Sequence, residues 1–160
     1  MPAREQNVIQ QTFDAFATSA GMLKHSGTWY RSTDNVIQAV NLQKSQYGPS
    51  YYINIGWWLR SLGDVKFPKD DEWHIGIRLE SLLALRAEEV NSLLDLDSEI
   101  SDAERSQRLR DLLEADLRPA VDRTTSVDGL RALRREGKLK AAAVRGPAIA
   151  IIDKPMTPGS

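Results

Sequence analysis

The chain has 160 residues, of which 41% are hydrophobic and 27% charged, and its formal net charge is −1. This is the composition of a globular protein able to bury one core without staples, and it excludes disordered and collagen-like classes. The near-zero charge supplies no global field towards nucleic acid or an anionic membrane, and the absence of cysteine removes disulfides, thiolate metal sites and cysteine nucleophiles.

The polar stretch Met1 to Gln11 has no apolar run suited to a signal peptide. No segment approaches the roughly 18 apolar residues of a membrane span. A soluble, cytoplasmic protein is therefore expected, with one domain over 1–154 and a disordered tail at 155–160.

In residues 4–20, Val8, Ile9, Phe13, Phe16, Ala17 and Ala20 fall close to one face of a helix, and Gly21 offers a stop. From Gly27 the period changes. Residues 27–33, 35–45, 50–59 and 73–79 are dense in Trp, Tyr, Val and Ile and read as strands. Thr33-Asp34-Asn35 and Tyr47-Gly48-Pro49-Ser50 are short turns, which implies antiparallel neighbours. The link 60–72, with Gly63, Pro68 and Asp70-Asp71-Glu72, reads as a mobile, solvated loop.

The 4 Trp, 4 Tyr and 3 Phe all lie at or before Trp73, and the chain beyond is rich in Leu, Ala and Arg. This marks a passage from strands to helices. Val90, Leu93 and Leu94 fit a helix over roughly 84–96. Ser101-Asp102-Ala103-Glu104 has the form of a capping box, followed by a stripe of Leu109, Leu112, Leu113 and Leu117 that Pro119 bends or ends. Ser126 caps a short helix carrying Leu130 and Leu133 and closing near Gly137. Leu139 to Val144 is compatible with helix, and Ala148 to Ile152 with helix or a fifth strand. The fold expected is α+β: an antiparallel sheet of about four strands, with an N-terminal helix and a C-terminal set of helices packed mainly on one face.

Alternation along the strands separates two faces. One parity gives Val36, Val40 and Leu42, then Tyr51, Ile53, Ile55 and Trp57, then Trp73, Ile75, Ile77 and Leu79, which is a core wall. The other gives Asn41 and Gln43, then Tyr52, Asn54, Gly56 and Trp58, then His74, Gly76 and Arg78. Amides, an imidazole and a guanidinium among aromatics make a candidate binding face of Asn41, Gln43, Tyr52, Asn54, Trp58, His74 and Arg78. A helix packed over the same face is the competing structural explanation.

Catalytic patterns are few. Histidines number two, without metal-ligand spacing, and no Gly-x-Ser-x-Gly elbow or phosphate loop is present. No cofactor is implied. His25 is expected at the surface. The basic stretch Arg131, Arg134, Arg135, Lys138, Lys140 and Arg145 reads as a solvated face paired with upstream acids. With Arg78 the one basic group of the sheet face, stacking of single-stranded nucleic acid is disfavoured.

Asn41-Leu42-Gln43-Lys44-Ser45, followed by Tyr51-Tyr52-Ile53-Asn54-Ile55-Gly56 and preceded by Tyr30-Arg31, resembles the bacterial family named domain of unknown function 4304. The resemblance covers roughly 8–135, with Gly21-Met22 where Gly-Phe is expected. It implies a small α+β fold and a bacterial source, carries no assigned activity, and directs attention to Gln43, Lys44 and Asn54. Two functions are compatible with these residues. One is a non-enzymatic binding protein with a protein partner, of immunity or antitoxin type. The other is a small-ligand binder or enzyme on the sheet face, with His74 as general base and Arg78 as anion clamp.

Overall fold

The computed structural model describes residues 5–155. The first helix, α1 (Val8–Ser19), begins with a reciprocal capping box. The Asn7 side chain accepts from Gln10 N, and the Gln10 side chain accepts from Asn7 N. Its apolar face buries Ile9, Phe13, Phe16 and Ala17, and Gly21 (φ +78°) turns the chain into the sheet.

Six strands follow in simple meander order: β1 (Leu23–His25), β2 (Thr28–Ser32), β3 (Val36–Lys44), β4 (Tyr51–Leu59), β5 (Ile75–Arg78) and β6 (Ala143–Val144). All neighbours are antiparallel. The expected four strands correspond to β2–β5. The two additional ones are short edges, β1 paired to β2 and β6 paired to β5. Leu139 to Val144 is therefore not a helix but a turn leading into β6.

The helical layer contains α2 (Leu79–Leu82), α3 (Ala87–Leu93), α4 (Asp102–Leu112), α5 (Arg118–Arg123), α6 (Val127–Arg135) and α7 (Gly146–Ile152). Ser101 and Ser126 cap α4 and α6 by accepting from Glu104 N and Gly129 N. Pro119 does not end the helical run. A π-helical turn, Leu113–Leu117, joins α4 to α5 just before it. A proline lacks the N–H that a continuous α-helix needs, and the wider turn absorbs the interruption. Ala148 to Ile152 is helical, in α7.

One face of the sheet and the helices form a continuous core that includes Val40, Ile53, Ile55, Trp57, Ile75, Leu109, Leu117 and Leu133. Several polar side chains are buried in the fold, and Gln38 and Arg105 bond into this layer, although Gln38 Oε1 and Arg105 Nε have no partner among the described residues. Gln38 Nε2 donates to Val121 O and Thr124 Oγ1, and Trp57 Nε1 donates to the same Thr124 Oγ1 at 2.9 Å. Arg105, 1% exposed, donates to the carbonyls of Ser92, Leu93 and Ser98 and so closes the C-terminal end of α3. Among the described residues no helix is long and apolar enough to cross a membrane. Of the expected disordered tail, residues 156–160 lie outside the described residues.

Candidate sheet-face binding site

The strand registers organise the second face of the sheet into three rows. The first aligns Thr28, Asn41, Asn54 and Arg78 across β2 to β5. The second aligns Tyr30, Ala39, Gly56, Gly76 and Ala143, and the third aligns Ser32, Ile37 and Trp58.

The row of small residues exists to receive a ring. Trp73 lies on it so closely that a Cβ at Gly56 would come within 2.0 Å of the indole. This corrects the parity expected for Trp73. β5 begins at Ile75, so the alternation does not extend back to Trp73, which joins Tyr30, Ile37, Ala39, Trp58 and Phe67 in a second apolar cluster. Its Nε1 and the Tyr30 hydroxyl both donate to Pro68 O, at 3.0 and 2.9 Å. The link 60–72 is therefore packed as a cover over the second and third rows. Its Phe67 also stacks on His25, which is exposed as expected, at 3.9 Å.

Trp58 and His74 fall in this covered half. Their rings lie 4.0 Å apart, and Trp58 Nε1 donates to Gly63 O at 3.0 Å. His74 is 7% exposed, and its Nδ1 accepts from Leu59 N at 2.8 Å. Burial, aided by the Arg145 guanidinium, holds its pKa below the ordinary imidazole value. It serves as a neutral acceptor inside the structure.

The first row stays open, and its polar groups are wired together. Asn54 Nδ2 donates to Asn41 Oδ1 at 2.9 Å and to Gln43 Oε1 at 3.0 Å. Asn41 is itself buried and spends its Nδ2 on Thr28 Oγ1 at 3.5 Å. This leaves Asn54 Oδ1 as an acceptor and Gln43 Nε2 as a donor towards solvent. Beside them the Arg78 guanidinium lies 3.9 Å from the centroid of Tyr52. That is a cation–π contact, and no carboxylate among the described residues pairs with it.

These groups edge an open trough of about 430 Å³, lined by Gln43, Asn54 and Arg78 on one side, Asp70 and Asp71 on the other, and Trp73 between. Five of the seven expected binding residues thus lie together: Asn41, Gln43, Tyr52, Asn54 and Arg78. Sequence reasoning missed the opposite wall, Asp70, Asp71 and Trp73. The signal was present in Gly56 and Gly76, since two strand glycines facing one way indicate that another group approaches closely.

The basic stretch is largely used within the fold. Arg131 pairs with Asp128 at 2.8 Å, Arg134 with Asp153 at 2.9 Å and Lys138 with Glu136 at 3.4 Å. Arg145 donates to the carbonyls of Trp73 and Asp71 and so ties the covering loop to β6. No group of three or more His, Cys, Asp or Glu among the described residues is placed to hold a metal ion.

Fold and site define a small α+β protein, a six-stranded meander backed by helices, that presents a half-open polar face. The family model described as Domain of unknown function (DUF4304) matches residues 13–123, and the chain belongs to this family. No curated protein and no solved structure gives a significant match. The matched region carries the amide row, Arg78 and Trp73, while β6 and the Ala141–Ala143 wall of the trough lie beyond it.

Proposed function

We propose that the protein is a non-enzymatic binding module that docks a partner on the open half of its sheet face. The observation that carries this reading is Arg78. It is an exposed guanidinium over the Tyr52 ring, next to a wired amide pair and paired with no carboxylate among the described residues. Preorganised, unspent donors of this kind lower the ordering cost of binding. The one buried imidazole, His74, already accepts a backbone N–H. This weighs against chemistry with His74 as base.

An immunity- or antitoxin-like role towards another protein, in the cytoplasm of a bacterium, is the specific form we favour. It is supported by the small, cysteine-free chain and by a trough whose lining contains no histidine. A volume of about 430 Å³ also suits a small polar ligand, which is the second reading. The test is capture from host lysate by the wild type and by a Tyr52→Ala, Asn54→Ala, Arg78→Ala variant with unchanged circular dichroism. A macromolecule kept by the wild type and lost by the variant supports docking on this face, and equal recovery refutes it. A small molecule carried by the wild type in native mass spectrometry, with no macromolecular partner, favours the second reading.

A further inference from the structure

Resting on the binding-module reading, we infer that the trough takes an extended segment of a partner protein that bears an acidic side chain for Arg78 and a basic side chain for Asp70 and Asp71. Seven other arginines among the described residues hold carboxylates within the chain. Arg78 holds none and lies over the Tyr52 ring, and a guanidinium without a carboxylate of its own can take one in two parallel hydrogen bonds.

The opposite wall has the opposite sign. Asp70 and Asp71 are exposed on a loop that is tied to the fold, since Arg145 donates to the Asp71 carbonyl and Pro68 O accepts from both Tyr30 and Trp73. Arg145 offsets part of their charge and Glu72 adds to it, so this end remains attractive to a cation. Between the two ends lie Trp73, Ala141 and Ala143, an apolar floor for the body of the segment.

The amide pair completes the match. Asn54 Oδ1 accepts and Gln43 Nε2 donates, which complements the N–H and C=O that one residue of an extended chain turns to the same side. The trough is open to solvent, which gives an extended segment access to it.

The experiment uses the full chain and an array of acetylated, C-terminally amidated random decapeptides, with bound protein read by fluorescence. Peptides carrying both an Asp or Glu and a Lys or Arg are expected to dominate. Replacement of the acid by its amide should lower retention at least tenfold. Arg78→Gln should abolish the preference for the acid and leave that for the base, and an Asp70→Asn, Asp71→Asn variant should do the reverse. Binding without an acid preference, an acid preference that survives Arg78→Gln, or no peptide retained by the wild type would each overturn the inference. A lysate partner that the sheet-face variant loses, together with a silent array, would discard the charged-segment idea while leaving the binding module standing. Equal capture of that partner by the variant would discard the module itself.

Discussion

The contact between Gly56 and Trp73 sets the shape of the binding face and gives a quantitative forecast. Trp73 is 6% exposed. Burying an indole removes about 150–250 Å² from water, worth about 4–6 kcal/mol at about 25 cal/mol per Å², close to the ~3–5 kcal/mol cost of truncating a buried Trp to Ala. Trp73→Ala should therefore cost about 3–5 kcal/mol. At Gly56 an added methyl would fall 2.0 Å from Trp73 Cε3, 2.1 Å from Cδ2 and 2.7 Å from Cζ3, and a rigid indole cannot yield at all three atoms. Overpacking of this kind costs about 1–3 kcal/mol, against a gain of about 0.5–1 kcal/mol from removing a strand glycine. With the indole gone, the methyl of Gly56→Ala has free space and only the gain remains. The double variant should be more stable than the sum of the singles by about 1–3 kcal/mol. Urea unfolding followed by far-ultraviolet circular dichroism measures all four corners of the cycle. Additivity within about 0.5 kcal/mol would show that the indole does not sit on Gly56, and the account of the covered half would fail.

Other outcomes follow from the buried polar groups. Arg105→Met should destabilise by about 3–5 kcal/mol in denaturant titration, because three carbonyls lose charge-assisted partners worth about 1.5–3 kcal/mol each, offset in part by removal of a buried charge whose Nε has no partner among the described residues. Thr124→Val should cost about 1–3 kcal/mol, since Trp57 Nε1 and Gln38 Nε2 lose a shared acceptor. His74 has a folded pKa below its unfolded value, so the unfolded chain binds the proton more readily, and stability should fall as pH drops below about 6.5. Melting temperatures taken from pH 7.5 to 5.5 should decline for the wild type and less steeply for His74→Asn, whose amide oxygen can still accept from Leu59 N. Equal slopes would remove His74 from the acid side of the stability curve.

The fold was most legible where alternation is strong. Val36 to Lys44 and Tyr51 to Leu59 assign their faces residue by residue, and with Asn41 opposite Asn54 the amide pair follows from register alone. What escaped has local causes. β1 is three exposed residues, and β6 is two, too few for a period to show. Trp73 precedes the first paired residue of β5, so parity counted through it gives the wrong face, and the acidic wall was lost along with it. Gln38 breaks the apolar series on the core face because its partners, Val121 and Thr124, come from α5 and its C-terminal end, more than 80 residues further along the chain. The half-covered state of the polar face depends on long-range packing of Phe67, Pro68 and Trp73, which no strand pattern encodes.

Amide chemical-shift mapping tests the central claim most directly. Isotope-labelled protein is titrated with the partner captured from lysate, and the perturbed backbone amides are placed on the structure. The account predicts that the shifts concentrate at 41–43, 52–56 and 76–78 and along Asp70 to Trp73, and that Arg78→Gln weakens them. Shifts confined to the basic stretch 131–140, with the sheet face silent, would contradict it.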